Sequence, residues 1–179
     1  MKVNRAAKRA LLIAERRAIS PQLRKEWDKS IADQVVAWCR ANAVRTAGVY
    51  SPIQGEPSLY EAFPLLTEIG IQLALPSVPG KEHPLTFLAW KPGDELMKDR
   101  FGVLVPLKSA AEVKPDVLFI PCVGYTANGY RLGYGGGYYD RTLAGTFKPK
   151  AVGIAYRISH CEIEPHPHDI PLDFIIINR

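Results

Sequence analysis

The chain has 179 residues and a formal net charge of +5. This length suits one well-cored domain, and we predict a single domain over residues 1–179. Hydrophobic residues make up 47% and charged residues 23%, and no apolar run reaches the length that spans a bilayer, which excludes an integral membrane protein. The positive balance predicts anionic partners, which include nucleotides, polycarboxylates and nucleic acid.

Cysteine usage indicates a reducing compartment. The chain has three cysteines, Cys39, Cys122 and Cys161, and none belongs to a Cys-x-x-Cys pair. An odd number at unpatterned spacing argues for reduced thiols, so we expect a cytoplasmic protein. Residues 2–17 are strongly basic, but they merge into a helical pattern without a serine-rich or cleavable stretch, which argues against a transit peptide.

Two helices are predicted at the start of the chain, over residues 5–18 and 21–40. In the first, small and apolar residues recur on one face: Ala7, Leu11, Ala14 and Ala18. Ser20 followed by Pro21 ends this helix and caps the next. Trp27 and Trp38 follow the apolar spacing of the second helix, which favours a place in the core over a role in stacking on bases.

From residue 43 the pattern changes to short apolar runs bounded by glycine and proline, which alternate with helical segments. Strands are predicted over residues 46–50, 71–75, 85–90, 117–121, 151–156 and 174–177, and helices over residues 57–68 and 137–144. Residues 117–120 are apolar without alternation, as in a parallel strand covered on both faces. The pattern predicts an α/β fold.

Residues 129–140 read GYRLGYGGGYYD and hold five glycines between Gly129 and Gly137. Residues 129–137 are called the glycine loop below. Bare backbone beside a cation, Arg131, and before a helix start predicts an anion-binding loop, whose N–H groups can approach an oxyanion closely. The alternative is a long turn with ordinary turn glycines.

The glycine loop does not match the common nucleotide motifs. It lacks the Gly-Lys-Ser/Thr of a P-loop and the third glycine of the dinucleotide-binding fingerprint. Asp140 falls in the first turn of the predicted helix, where an acid can cap the helix or bind Mg²⁺.

Two other segments carry candidate polar residues. Residues 166–173 contain His-x-His-Asp in a proline-rich context, which meets a zinc ligand set poorly. Asp169 suits Mg²⁺ only if the fold brings it to Asp140. Glu56 follows the first strand and is either a binding acid for an N–H-rich ring or a solvated loop acid, and composition leaves both open.

Together these segments resemble the 5-formyltetrahydrofolate cyclo-ligases, also called methenyltetrahydrofolate synthetases. The resemblance covers nearly the whole chain and rests on Lys8-Arg9, Ser20-Pro21, Gly55-Glu56, residues 100–102, residues 128–141 and residues 168–173. It implies a three-layer α/β domain with a mainly parallel sheet, similar to the sugar-phosphate isomerase and CoA-transferase-like fold.

The resemblance also implies an enzyme that uses ATP and Mg²⁺ to convert 5-formyltetrahydrofolate to 5,10-methenyltetrahydrofolate. The implied ATP contacts are Lys8, Arg9, Arg131, Leu132, Gly133, Tyr134, Gly135, Gly136, Gly137, Tyr138 and Tyr139, with Lys8 and Arg131 also catalytic. The implied folate contacts are Ser51, Glu56, Tyr134, Gly135, Gly136, Gly137 and Tyr138. The implied magnesium ligands are Asp140 and Asp169.

The expected partners are therefore small molecules, ATP and a reduced folate with or without additional glutamates, and we expect a monomer that binds neither nucleic acid nor membrane. The chain departs from the family in two places, with Leu12 where some members have a basic residue and Tyr134 where many have arginine. Two rival hypotheses are a non-catalytic paralogue that binds nucleotide, folate or RNA, and a sugar-phosphate isomerase on the same fold. The first has no need of two magnesium carboxylates, and the second does not account for Lys8-Arg9.

Overall fold

The computed structural model describes residues 4–179, so Lys2, at the start of the basic run, lies outside the described residues. The helices are α1 (Arg5–Arg17), α2 (Pro21–Ala41), α3 (Ala62–Glu68) and α4 (Tyr138–Ala144), with a 3₁₀ turn at Arg157–Ser159. The strands are β1 (Thr46–Gly48), β2 (Gln72–Ser77), β3 (Thr86–Trp90), β4 (Leu96–Lys98), β5 (Leu104–Pro106), β6 (Glu112–Val113), β7 (Val117–Pro121), β8 (Gly124–Tyr125), β9 (Arg131–Leu132), β10 (Lys150–Ala155) and β11 (Phe174–Ile177).

A seven-stranded sheet forms the centre of the molecule, in the order β11-β10-β7-β1-β2-β3-β6. The strands from β11 to β2 pair in parallel, whereas β3 and β6 add to the edge in antiparallel register. β4 with β5 and β8 with β9 form two short antiparallel hairpins outside this sheet. All six predicted strands are present, with ends displaced by no more than two residues.

Both faces of the sheet are covered, as the continuous apolar run of β7 predicts. Phe119 belongs to a core cluster that includes Ile31 and Val35 of α2 and the buried residues of α3. Leu118 and Ile120 point to the opposite face, into a second cluster with Leu143 of α4. The three-layer α/β class with a mainly parallel sheet is confirmed, while the prediction of a single domain stays a prediction.

Helix α1 turns a different face inward from the one its alanines suggest. It begins at the cap Asn4, whose side chain accepts from the N–H groups of residues 6 and 7. Leu11 is 58% exposed, and the buried residues of the helix are Leu12 and Arg16. These two share a face with Arg5 and Arg9, because spacings of three, four and seven residues lie on one side of a helix. The inner face of α1 is therefore largely basic.

The helix predicted over residues 57–68 is shorter, and the expectation for residues 57–61 is wrong. The backbone there is bonded to side chains instead: the Tyr50 hydroxyl donates to Pro57 O at 2.6 Å, and Ser58 N donates to Asp28 Oδ1 at 3.1 Å. Pro64 neither breaks nor kinks α3, because it lies in the first turn, where its missing N–H has no partner within the helix.

Helices α2 and α4 match their predicted bounds within a residue. Ser20 Oγ accepts from Leu23 N at 3.3 Å, which confirms the cap between the first two helices. Trp27 and Trp38 both pack against the core cluster of the α2 face, as predicted. None of the helices in residues 4–179 is long and apolar enough to cross a membrane.

Candidate functional site

The glycine loop lies beyond the carboxyl end of β7, where open α/β sheets place their ligands. β8 and β9 form a hairpin there, and the loop continues from β9 to the first residue of α4. Gly135 and Gly137 have φ angles of 95° and 68°, which side chains rarely adopt. Gly133, Gly135 and Gly136 are partly or fully exposed, so their backbone can be reached from solvent. These features support the interpretation as an anion-binding loop.

Arg131 joins the glycine loop to the 166–173 segment. Its side chain is 5% exposed, and its Nη2 donates to Asp140 Oδ1 at 2.6 Å. Its Nη1 donates to the carbonyl of Ile170, and Ile170 N donates to the same Asp140 oxygen at 2.9 Å. The fold thus brings Asp140 next to the segment that carries Asp169, which the sequence pattern could not establish.

Asp169 is paired with an arginine of α1. Arg5 Nη2 donates to Asp169 Oδ2 at 2.6 Å, and His166 N donates to the same oxygen at 2.8 Å. Partial burial acts to raise the pKa of Asp169, but the Arg5 hydrogen bond, the His166 N–H and the Arg5 charge outweigh it. The net result is a pKa below the usual value of 3.8, so this carboxylate is ionised at neutral pH.

The two aspartates fit a magnesium ion. Within residues 4–179, the hydrogen bonds of the carboxylates use Oδ1 of Asp140 and Oδ2 of Asp169, which leaves the second oxygen of each for another ligand. Mg²⁺ in nucleotide sites typically takes one or two carboxylates, and phosphate oxygens and waters complete its shell. The same residues contain no cluster of three or more His, Cys, Asp or Glu side chains that could hold a metal by themselves. This is consistent with an ion that shares its ligands with phosphate.

Two of the basic residues of α1 differ in where they point. Arg9 Nε donates to Gly133 O at 2.6 Å, and a methyl group built at Gly135 would lie 3.4 Å from Arg9 Nη2. The Arg9 guanidinium therefore lies against the glycine loop. Lys8 Nζ instead donates to Glu162 O at 3.1 Å, so its amine points to the segment that follows the 3₁₀ turn. Its assignment as a phosphate-binding and catalytic residue stays a prediction.

Glu56 is a buried carboxylate, 4% exposed, rather than a solvated loop acid. Its Oε2 accepts from Ile53 N at 2.9 Å. Burial raises its pKa from 4.5 to about 7, against the opposing effects of the Ile53 N–H, the charge of Arg16 and the Tyr134 hydroxyl. A buried acid that is half-neutralised at pH 7 and lies beside the glycine loop residue Tyr134 is a candidate functional group.

Two further predicted folate contacts, Ser51 and Tyr138, lie against the β4–β5 hairpin. The Ser51 hydroxyl donates to Leu104 O at 3.2 Å, which ties the loop after β1 to the β4–β5 hairpin. The tip of that hairpin carries Phe101, 57% exposed, whose ring centre lies 6.5 Å from that of Tyr138. Arg141 covers another part of the Tyr138 ring at 5.0 Å. Both predicted contacts therefore adjoin this hairpin, whose exposed Phe101 presents aromatic surface beside Tyr138.

Two predicted ATP contacts have side chains that face the interior. Leu132 is 1% exposed and packs in a third cluster with Leu12, Val123, Cys161 and Ile163. Tyr139 packs against the cluster on the α4 face of the sheet. Any contact of Leu132 with a ligand would have to come from its backbone.

Two residues of the site were missed in the sequence analysis, Arg5 and Arg16. Arg5 binds the predicted magnesium ligand Asp169, and Arg16 Nη2 donates to the Tyr134 hydroxyl at 2.7 Å. The spacing of positions 5, 9, 12 and 16 would have indicated one helix face, but the apolar series beginning at Ala7 competed with it.

Fold and site together define an α/β protein with an anion-binding glycine loop, two neighbouring aspartates and a buried glutamate. The sequence profile of the 5-formyltetrahydrofolate cyclo-ligase family matches residues 1–178. The chain belongs to this family, and the expectation of an enzyme of the ligase class is confirmed.

Individual relatives agree with this assignment. The 5-formyltetrahydrofolate cyclo-ligase of Escherichia coli K12 is 31% identical over 169 residues, which is 90% of this chain and 93% of the relative. That of Haemophilus influenzae is 31% identical over 84% of each chain. The solved 5,10-methenyltetrahydrofolate synthetase of Mycoplasma pneumoniae superimposes with a TM-score of 0.81 at 26% identity, over 97% of this chain and 98% of that one. The corresponding structure from Aquifex aeolicus gives a TM-score of 0.82 at 28% identity, over 97% and 89%.

Proposed function

We propose that this protein converts 5-formyltetrahydrofolate to 5,10-methenyltetrahydrofolate and that the reaction consumes ATP in the presence of Mg²⁺, with release of ADP and phosphate. The observation that carries the proposal is that three groups of residues lie together beyond the carboxyl ends of the parallel strands. These are the glycine loop with Arg9 and Arg131, the aspartates Asp140 and Asp169, and the buried Glu56. A folate ligase that uses ATP needs all three.

In this proposal the triphosphate lies along the glycine loop. The N–H groups of residues 133–137 and the guanidinium of Arg9 bind its phosphate oxygens, because backbone donors and a planar cation suit tetrahedral anions. Arg131 orients Asp140 and supplies positive charge close to the phosphates. Asp140 and Asp169 hold the magnesium ion, which when bound neutralises phosphate charge.

In this proposal the folate lies between the loop that carries Glu56, the glycine loop and the β4–β5 hairpin. Glu56 accepts N–H groups of the pterin ring, while Ser51 and Tyr138 contact the same substrate. Ionised Glu56 is suited to this, because a carboxylate presents only acceptors to the paired N–H donors of an aminopteridine. The polar and aromatic groups of these three segments then fix the formyl group relative to the terminal phosphate.

The chemistry needs alignment more than proton transfer. The formyl oxygen attacks the γ-phosphorus and ADP leaves, which gives a phosphorylated formyl (imidate) group. N10 then attacks the formyl carbon and gives up its proton, the C–O bond breaks with phosphate as the leaving group, which can carry this proton away, and the five-membered methenyl ring closes. Phosphorylation is required because an amide-type oxygen is a poor leaving group.

Turnover can be tested with purified protein, 5-formyltetrahydrofolate and Mg-ATP, by following the near-ultraviolet absorbance of the methenyl product and the release of ADP. Growth of the product signal that depends on both ATP and Mg²⁺ is expected. With ¹⁸O in the formyl group, the label should appear in the released phosphate. Absence of ATP-dependent growth would contradict the proposed activity, and unlabelled phosphate would contradict the route through the phosphorylated formyl group.

A further inference from the structure

Arg16 is a charged side chain inside the molecule, 1% exposed, on the inner face of α1. Its guanidinium bonds to three separate segments that border the site. Nε donates to Gln54 O at 3.2 Å, Nη1 to Cys122 O at 3.4 Å and Nη2 to the Tyr134 hydroxyl at 2.7 Å. One planar cation thus joins the loop before Glu56, the end of β7 and the glycine loop.

The loop that carries Glu56 is held through its backbone. Four side chains bind its backbone: Arg16 donates to Gln54 O, Arg24 to Gly55 O at 2.9 Å and Tyr50 to Pro57 O at 2.6 Å, while Asp28 accepts from Ser58 N at 3.1 Å. The Glu56 carboxylate itself accepts from Ile53 N, within the same loop. The position of the carboxylate is therefore set by the groups that hold the loop. Arg16 and Arg24 are the two cations that bind its backbone, whereas Arg17 binds the side chain of Gln54.

These two cations differ in their electrostatic relation to Glu56. Among the side chains of the described residues, Arg16 and Tyr134 lower the pKa of Glu56, and the charge of Glu56 in turn raises the pKa of Tyr50, Cys122 and Tyr139. Arg16 carries the positive charge of this set, whereas Arg24 acts on Asp28 and Tyr156. A buried carboxylate without a nearby cation takes up a proton, because desolvation penalises the charged form.

We propose that Arg16 is a positioning residue for substrate binding, which fixes the Glu56 loop and the Tyr134 hydroxyl in one arrangement and supplies the counter-charge that keeps Glu56 an acceptor. This inference rests on the proposed function, in which Glu56 accepts N–H groups of a pterin. It assigns to Arg16 an effect on folate binding rather than on phosphoryl transfer. Tyr134 links the glycine loop to both residues, because its hydroxyl accepts a hydrogen bond from Arg16 and lowers the pKa of Glu56.

The test compares Arg16→Gln, which keeps an N–H donor but removes the charge, with Arg24→Gln, which removes a loop contact but leaves the charge of Arg16. In the parent protein the Glu56 carboxyl is expected to titrate near pH 7, which can be followed by NMR with ¹³C-carboxyl glutamate and assigned with Glu56→Gln. Arg16→Gln should raise this midpoint by at least one unit, whereas Arg24→Gln should leave it unchanged.

The kinetic readout is the pH profile of KM. At pH 7, Arg16→Gln should raise KM for 5-formyltetrahydrofolate about fivefold, since a rise of one unit from a pKa of about 7 lowers the ionised fraction of Glu56 from about one half to about one eleventh. KM should return toward the parent value as the pH is raised to 9, with kcat within about threefold throughout. Arg16→Lys restores the positive charge without the planar guanidinium. It should bring the Glu56 midpoint most of the way back to the parent value and should bring KM for 5-formyltetrahydrofolate part of the way back.

The outcomes separate this inference from the proposed function. If the parent turns over and Arg16→Gln has the parent's Glu56 midpoint and KM profile, the role of Arg16 is wrong. If the parent fails to turn over but Arg16→Gln still raises the midpoint, the proposed activity is wrong and the electrostatic role of Arg16 stands. If Arg16→Gln does not fold, Tyr134→Phe tests the same link. Loss of that hydroxyl should raise the midpoint in the same direction, and an unchanged midpoint would overturn the proposal.

Discussion

At the scale of single residues, the contact between Arg131 and Asp140 holds the carboxylate in place and leaves one of its oxygens for a cation. Asp140 uses one oxygen for Arg131 and for Ile170 N, and its other oxygen remains available to a cation. The buried Arg131 holds the carboxylate of Asp140, the proposed magnesium ligand, in place without a metal. The site can therefore be preorganised for Mg-ATP rather than assembled by it.

Asp140→Asn should impair turnover while leaving the fold intact. Asparagine keeps an oxygen for Ile170 N but lacks the charge that attracts Mg²⁺, so we expect kcat to fall roughly a hundredfold, in line with a metal contribution of several kcal/mol. A Mg²⁺ titration of turnover would also show a higher half-saturating concentration. Asp33→Asn is the matched control, because Asp33 is 59% exposed in a surface pair with Lys29. Equal turnover of the two variants would remove Asp140 from the magnesium site.

Glu56 should make stability depend on pH in the direction opposite to a paired carboxylate. Its folded-state pKa of about 7 lies above the 4.5 of the unfolded chain, so the folded protein binds more protons between these values. The contribution of Glu56 to the free energy of unfolding is therefore full below pH 4.5 and is lost as the pH rises to 7. The loss amounts to about 3 kcal/mol at 1.4 kcal/mol per unit.

Urea unfolding of the parent and of Glu56→Gln between pH 5 and pH 8 measures this contribution. The difference in unfolding free energy, parent minus variant, should become less favourable to the parent as pH rises and level off above pH 7. Other titrating groups cancel in the difference because both proteins carry them. A difference that is constant across this range would mean that Glu56 titrates at its ordinary value.

At the scale of elements, α1 is the part of the structure that connects the site. Arg5 reaches the 166–173 segment, Arg9 the glycine loop and Arg16 the loop of Glu56, all from one helix face. Leu12 lies on the same face and anchors it in the cluster beside the β8–β9 hairpin. Leu12, for which the family resemblance leads us to expect a basic residue in some members, thus serves here to pack the helix against the site.

Adjacent leucines of α1 provide a direct test of which face points inward. Leu12→Ala should lower the free energy of unfolding by about 2 to 4 kcal/mol, because it removes a buried side chain and leaves a cavity. Leu11→Ala should change it by less than about 0.5 kcal/mol, since Leu11 is 58% exposed. Urea unfolding at one pH measures both. Comparable losses in the two variants would mean that the helix is rotated from the orientation described.

The glycine loop depends on a backbone conformation that only glycine adopts easily. Alanine substitutions at Gly135 and at Gly70 distinguish the effect of backbone strain from an effect on ligand binding. Gly135 and Gly70 both have positive φ angles, 95° and 84°, but Gly70 has open space around it whereas Gly135 lies against Arg9. Replacement by alanine should cost each about 1 kcal/mol of stability. Only Gly135→Ala should raise KM for ATP, since a methyl group there intrudes between the phosphates and Arg9. An equal KM in the two variants would place the phosphates elsewhere.

The sequence predicted individual helices, strands and loops better than it predicted which of them contact one another. The Ser20-Pro21 cap, the apolar run of β7 and the glycine loop are local patterns, and each appears in the structure at the predicted place. The inner face of α1 was not predictable because its alanine series and its basic series have the same period, and only the position of the glycine loop decides between them. The meeting of Asp140 with the 166–173 segment likewise depends on Arg131, a contact between residues 39 apart in the chain.

At the scale of the whole molecule, the net charge of +5 becomes informative once the site is located. Several of the site's cations, Arg5, Arg16 and Arg131, are already bonded to acceptors of the protein. The remaining positive charge is spread over the surface, where it can attract polyanions over distances up to the Debye length, about 10 Å at 0.1 M salt. Both proposed substrates are polyanions, ATP through its phosphates and the folate through its glutamate carboxylates.

Ionic strength should therefore affect capture of substrate more than the chemical step. Between about 20 and 200 mM KCl, at constant free Mg²⁺, we expect kcat/KM for both substrates to fall several-fold, because screening shortens the range of attraction. kcat should change little, since bound substrates are held by direct contacts that exclude salt. Glycine betaine at matched osmolality is the control, because it leaves ionic strength unchanged and should leave kcat/KM unchanged. A flat salt profile for kcat/KM would show that the surface charge takes no part in binding these substrates.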